Sequence, residues 1–186
     1  PGPSAQPFTL VKVNQGDRLV SIRLSSGEQD IFLASRSGMG IRFSEEDVRA
    51  MGLVAAGVNG MKLEKDDQII GMEILSGKQE MFFLTSSGRA KRVEQADFPV
   101  QGRYGKGVIA WKLPEEDSLA GMTVGKGNLR VTIHLKEYAP KSARLDDAPL
   151  QTRAAQKGKD VVEVREGDQV TLLTIPWDIV RPVSDD

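Results

Sequence analysis

Laid upon itself, the chain repeats about every fifty residues, a period that limits it to arrays of small supersecondary units. Asp17-Arg18-Leu19-Val20, Asp67-Gln68-Ile69-Ile70, Asp117-Ser118-Leu119-Ala120 and Asp168-Gln169-Val170-Thr171 stand 50, 50 and 51 residues apart. Gly27 and Gly77 follow at equal distance, then Ile31-Phe32-Leu33 against Met81-Phe82-Phe83, then Ser37-Gly38-Met39-Gly40-Ile41-Arg42-Phe43 against Ser87-Gly88-Arg89-Ala90-Lys91-Arg92-Val93. Gly57-Val58-Asn59-Gly60-Met61-Lys62-Leu63 matches Gly107-Val108-Ile109-Ala110-Trp111-Lys112-Leu113. A third, degenerate copy runs through Val131–Leu135, Lys141–Leu145 and Asp160–Arg165, keeping the strand pattern and the basic residues but losing the turn glycine.

The apolar segments are short and rich in β-branched and aromatic residues, such as Leu19-Val20-Ser21-Ile22 and Met81-Phe82-Phe83-Leu84, and none sustains the i, i+3, i+4, i+7 spacing of a helix. With 19 Gly and 9 Pro as turn punctuation, the expected fold is all-β. Each repeat should hold four short strands, one after the acid, a second across a Gly hairpin, a third across a Ser-Gly turn and a fourth near its end. Four-stranded sheets repeated radially are the logic of propellers, whose blades bury one another's faces. The expected units are residues 17–66, 67–116 and 117–167 with a remainder at 168–183, in one domain spanning 8–183. Residues 1–7 read as linker or expression remnant and 184–186 as tail. Phe8–Val13 and Leu172–Ile175 are strand-like and are expected to complete edges or a partial fourth blade.

Composition closes off several chemistries. There is no Cys, so disulfides, thiolate nucleophiles and Cys-ligated zinc are excluded. His134, the one histidine, alternates with Ile133 and Leu135 and reads as a strand or edge position. Asp146-Asp147 before Ala148-Pro149 reads as a turn, Trp111 and Trp177 as core between blades, and Met61, Met72 and Met122 as packing. No cofactor, metal or small-molecule substrate is expected, no apolar run reaches membrane-spanning length, and a cytoplasmic location is the default.

The net charge is −1, which taken whole argues for no anionic partner. Its distribution does. Residues 81–112 carry a net +4 and residues 126–159 a net +5, leaving −10 for the rest, and these windows occupy nearly the same phase of successive repeats. Equivalent positions of a radial array lie on one rim, so phase-locked cations form a stripe suited to duplex phosphates, with no helix shaped to read a groove. The candidate contacts are Arg42, Arg89, Lys91, Arg92, Gln101, Arg103, Tyr104, Lys106, Lys112, Arg130, Lys136, Lys141, Arg144, Arg153, Lys157 and Lys159. Residues 31–62 net only +1, so the first unit should contribute least. An acidic protein partner is the competing reading of the same stripe.

Leu84-Thr85-Ser86-Ser87-Gly88-Arg89-Ala90-Lys91-Arg92-Val93, the Asp97-Phe98 pair and Gly107-Val108 resemble the repeats of a C-terminal domain found in bacterial type IIA topoisomerases, that of the gyrase A and topoisomerase IV A family. The resemblance spans about residues 8–181. It implies a β-pinwheel, propeller-like but with strands exchanged between blades, that binds and bends double-stranded DNA without sequence preference around its basic rim. The implied partners are the ATPase B subunit, together with the catalytic part of the gyrase A chain, in a nucleoid-associated bacterial enzyme that changes DNA topology at the expense of ATP. Gyrase A chains carry a box, Gln-Arg-Arg-Gly-Gly-Lys-Gly, that is needed for wrapping. Residues 101–107 match it at Gln101, Arg103, Gly105, Lys106 and Gly107 and depart at Gly102 and Tyr104. The box lies in the second unit here rather than the first, and the units are fewer than gyrase's six. Both gyrase and topoisomerase IV therefore stay open, as does ring closure. The chain holds two tyrosines, Tyr104 and Tyr138, and no acidic metal-binding module, so no DNA-cleaving site is expected in it.

Overall fold

In the computed structural model, which describes residues 7–176, the chain is all-β. Eleven strands run in the order β1 (Asp30–Ser35), β2 (Met39–Ser44), β3 (Ile69–Leu75), β4 (Glu80–Thr85), β5 (Arg89–Glu94), β6 (Val108–Ile109), β7 (Leu119–Gly125), β8 (Arg130–Leu135), β9 (Lys141–Arg144), β10 (Lys159–Asp160) and β11 (Val170–Thr174). Single 3-10 turns at Glu45–Asp47, Gln95–Asp97 and Leu145–Asp147 follow the second strands of the three hairpins β1–β2, β4–β5 and β8–β9.

The strands assemble across repeats rather than within them. The sheet orders are β3-β1-β2-β6, β10-β5-β4-β7 and β11-β8-β9, so each hairpin takes an edge strand from the repeat that follows it. Residues 67–116 and 117–167 each hold the expected four strands, but these do not form one sheet: the strand after each repeat's acid completes the preceding repeat's sheet. The register repeats with it. Phe32 faces Arg42 and Glu73 just as Phe82 faces Arg92 and Thr123, and the irregularity at Ala34/Ser35 recurs at Leu84/Thr85.

The repeated acid enforces the exchange. Asp67 accepts from the Ser37 N–H and hydroxyl at 3.0 and 2.6 Å, thirty residues back, and Asp117 accepts from the Ser87 hydroxyl at 2.7 Å and the Ser86 hydroxyl at 2.8 Å. Asp168 accepts from the Glu137 N–H at 3.0 Å. Each carboxylate thus caps the turn of the hairpin that its own strand joins. Burial pushes the Asp67 and Asp117 carboxyls up, but the serine hydroxyls and backbone N–H groups outweigh it and hold both below the usual carboxylate value.

Sheet packing explains the Met81-Phe82-Phe83-Leu84 run, which is fully buried because the second sheet is covered on both faces. Phe83 packs with Phe32 and Phe98 on the side of the first sheet; the Phe32 and Phe98 rings meet edge-on at 4.8 Å between centroids. Phe82 and Leu84 face Val131, Ile133 and Leu145 of the third unit. In β3, by contrast, one face is covered and burial alternates.

Two expected strands differ. Phe8–Val13 makes only an isolated bridge, Val11 to Ala55, and Leu19–Ile22 joins no sheet, although Arg18, Ser21 and Arg23 bond to Gln68, Met72 and Glu73 of the β3 segment. Its repeat-equivalents β3, β7 and β11 all pair with the hairpin of the preceding repeat, and none precedes this segment among the described residues. Trp177, the tail at 184–186 and most of the leading linker lie outside the described residues.

Candidate nucleic-acid interface

Each sheet has an inner and an outer edge, and the strands of the inner edges carry no cation, although exposed Lys78 and Lys126 follow β3 and β7. The inner strands β3, β7 and β11 pack side by side and contain no Lys or Arg. The outer strands β6, β10 and β9 are bordered by or contain Lys106, Lys112, Lys157, Lys159, Lys141 and Arg144, all exposed. Lys159 sits opposite Ala90 and Asp160 opposite Arg89, which brings half-buried Arg89 to the same edge. Arg130, at the start of β8, is exposed and faces Arg144 across the strand pair. Lys62, exposed at the position equivalent to Lys112, belongs with this set, and the fifty-residue spacing is the signal that points to it.

Four arginine candidates and Gln101 hold the seams between units. Arg42 forms an ion pair with Asp30 at 2.7 Å and donates to the Gln95 carbonyl at 3.1 Å. Arg92 pairs with Glu80 and donates to the Ala148 carbonyl at 2.9 Å. The guanidinium of Arg103 donates to the carbonyls of Asp47, at 3.1 Å, and Asn59, and that of Arg153 to the carbonyls of Asp97, at 3.1 Å, and Ile109, at 3.3 Å. These two arginines are repeat-equivalents and make equivalent staples. Gln101 and Gln151 likewise each donate a backbone N–H to the carbonyl of Arg42 and Arg92, respectively, at 2.8 and 2.9 Å.

Lys91 departs from the expectation altogether. It is fully buried, its Nζ donating to the carbonyls of Thr152 (3.3 Å), Arg153 (2.9 Å) and Ala155 (2.9 Å) and lying 5.1 Å from the centre of the Trp111 ring. A buried ammonium with all three protons engaged has none to offer a phosphate, so Lys91 is not a surface contact. Burial pushes its pKa down to about 8, against the opposing charge of Asp97. Among the other candidates, Lys106 is paired with Glu64 at 2.8 Å, Lys136 with Glu137 at 2.9 Å and Arg144 with Asp146 at 3.3 Å, all on the surface. Tyr104 is half exposed on a backbone with φ +66°, and its N–H is held by the Gly60 carbonyl at 2.8 Å. Trp111 is core, its indole N–H donating to the Gln156 carbonyl at 2.9 Å, and His134 is a cross-strand partner of Thr174 at 2.9 Å.

Two glycines let the outer segments come this close. Gly88 has φ +87°, and a Cβ there would stand 2.5 Å from the Val162 carbonyl oxygen; one on Gly158 would stand 2.5 Å from the Trp111 ring.

The sequence profile of the DNA gyrase C-terminal domain, described as a beta-propeller, matches residues 29–76 and 79–126, just over half of the chain. The chain belongs to this family. The gyrase A protein of Klebsiella oxytoca is 44% identical over 61 residues, which is 33% of this chain and 7% of that protein, so the match spans a small part of the curated relative. Among solved structures, the C-terminal domain of DNA topoisomerase IV superposes with a TM-score of 0.83 at 22% identity, covering 90% of this chain and 53% of the other. A DNA gyrase A C-terminal domain gives 0.54 at 16% identity, over 88% and 72%. At these identities the superpositions establish the fold alone.

Proposed function

We propose that this domain binds duplex DNA without sequence preference and bends it along the outer edges of its sheets, as part of a gyrase A-like chain whose parent enzyme changes DNA topology at the expense of ATP. The bias in the placement of cations carries the reading: the inner strands have none and only Lys78 and Lys126 just after them, while β6, β9, β10 and their flanks bear Lys106, Lys112, Lys141, Arg144, Lys157 and Lys159. Phosphate contacts need a line of cations and accessible backbone but no base-reading element. The partners on this reading are double-stranded DNA, the ATPase B subunit, and the catalytic part of the gyrase A chain, in the bacterial cytoplasm at the nucleoid. The gyrase A relatives by sequence favour gyrase.

The test is affinity for linear duplex against salt. Neutralising roughly four to six phosphates gives a log–log slope of about −4 to −5. An affinity that ignores salt would point instead to a protein partner for the rim.

A further inference from the structure

The loop Gln151–Gly158 repeats Gln101–Gly107 with one added residue: Gln101 and Arg103 recur fifty residues on at Gln151 and Arg153, but Lys106 and Gly107 recur after fifty-one, at Lys157 and Gly158. The tighter loop is turned through left-handed Tyr104 and rests on Ile41, which is fully buried. The longer loop has no left-handed residue, and Lys91 stands at the position of Ile41. The insertion and the change from Ile to Lys thus meet at one seam.

Its consequence is a set of backbone directions. The carbonyls of Thr152, Arg153 and Ala155 turn inward onto the Lys91 ammonium, and that of Gln156 turns inward onto the Trp111 indole N–H. Every peptide here is trans, so the N–H sharing each unit points the opposite way. The N–H of Arg153 is taken by Asp97 Oδ2 at 3.2 Å, which leaves those of Ala154, Gln156 and Lys157, all three exposed residues, facing outward. Those of Gln156 and Lys157 are adjacent, the Ala155 N–H before them being spent on the Thr152 carbonyl at 3.1 Å, and successive outward N–H groups in a turn form an anion-holding concavity. Here a buried positive charge lies behind them, with Lys157 and Lys159 beside them on the exposed edge.

We propose that residues 151–158 form an anion-holding loop whose ligand is a phosphate group, and that Lys91 is its positioning residue, acting through the inward carbonyls rather than by touching the ligand. On the DNA reading given above, the phosphate belongs to the duplex backbone. The charged group acting on Lys91 is Asp97 from the turn after β5, and among the described residues no other carboxylate compensates the ammonium.

The test follows the backbone amide nitrogens and carbonyl carbons of the labelled protein by carbon-detected nuclear magnetic resonance, in which exposed amides remain observable at high pH, while inorganic phosphate, and separately a duplex oligonucleotide, is titrated in. At about pH 7 phosphate should shift the Ala154, Gln156 and Lys157 amides saturably. At about pH 9.5, above the titration of Lys91, that response should fall about tenfold, although phosphate itself is then at least as highly charged. Lys91→Met should show the same loss at about pH 7 and leave the Gln101–Gly107 amides in place; the wild-type pH profile decides the matter should that variant not fold. No saturable response at pH 7, or an equal response at both pH values, overturns the proposal. Phosphate binding without any response of these amides to the duplex keeps the anion loop and removes the DNA reading.

Discussion

The loops at the two seams teach how a repeat array changes its chemistry without changing its fold. Residues 101–107 and 151–158 share the Gln backbone bond to an arginine carbonyl, the stapling arginine and the closing glycine. What lies beneath them differs: Ile41 under the first, and a lysine capped by three carbonyls and a tryptophan under the second. An apolar seat lets a loop choose its peptide directions by turn geometry, which here uses a left-handed Tyr104. An ammonium seat dictates them, because three donors in the core demand three acceptors.

The largest way to break this contrast is to remove the wall of the second seat. Trp111 is fully buried, receives Gly158 against its ring and bonds Gln156. Trp111→Ala should cost about 3–5 kcal/mol in urea unfolding, against about 2–4 for Ile41→Ala under the other loop. An equal small cost for both would mean that neither loop depends on its seat.

Next in size is the exchange of one seat for the other. Lys91→Ile alone strands the Thr152, Arg153 and Ala155 carbonyls and should cost about 2–3 kcal/mol. Combined with replacement of 151–158 by the sequence of 101–107, it should recover at least about 1 kcal/mol, a coupling within the usual range for residues in contact. Additive costs would show that the insertion and the lysine are unrelated. The pH response offers a second reading of the same residue. Lys91 titrates at about 8 in the fold, below its ordinary 10.5, so between those values the unfolded chain binds more protons and stability should rise with pH on its account. Phosphate binding at the loop should fall over the same range. The difference between wild-type and Lys91→Ile stability curves isolates that rise, and a flat difference would mean that Lys91 titrates normally.

Much of this is legible in the residues. The spacing of Asp67, Asp117 and Asp168 carries the architecture, because each carboxylate reaches a turn about thirty residues back, whereas Asp17 keeps the spacing and, among the described residues, bonds only the Arg18 N–H beside it. Strand exchange is not legible from the pattern, since alternation fixes which face of a strand is buried and says nothing of which neighbour its backbone meets. The rim is legible as charge in phase with the repeat, whereas the commitment of Arg42, Arg92, Arg103 and Arg153 to carbonyls is not, because a guanidinium reads alike whether its acceptor is a phosphate or a peptide. Lys91 does carry a signal of its burial. It alternates with Ala90 and Arg92 on the face of β5 that includes buried Val93, and its repeat-equivalent is Ile41.

A smaller effect separates the staples from the rim. Arg103→Ala and Arg153→Ala each remove two bonds to carbonyls of a neighbouring unit and should each cost about 1–2 kcal/mol of stability. The unfolding midpoint checks this. If Arg103 instead served mainly as a phosphate contact, the substitution would lower the salt slope by about one and leave stability unchanged. The two outcomes exclude each other, which makes Arg103 the most economical probe of whether the likeness of residues 101–107 to a wrapping box reflects contact with DNA or the joining of blades.

The smallest stability effect belongs to Lys106, whose bond to Glu64 is exposed at both ends, at 65% and 76%. Each group shifts the other toward its charged form, but a pair this open is screened by water and salt and holds no seam. Lys106→Ala should therefore leave the unfolding midpoint where it is. Its effect on DNA has a different physical source: a mobile surface cation stands ready for a phosphate only when it lets go of Glu64. Glu64→Gln, which frees Lys106 without adding charge to it, should then strengthen duplex binding at low salt, and Lys106→Ala should weaken it and lower the salt slope by about one. In the double variant Glu64→Gln, Lys106→Ala, most of the gain from Glu64→Gln should vanish, because it acted through the lysine. A gain that survives without Lys106 would mean that Glu64 repels the duplex directly, and that the tip of the 101–107 loop faces the DNA through its field rather than through a contact.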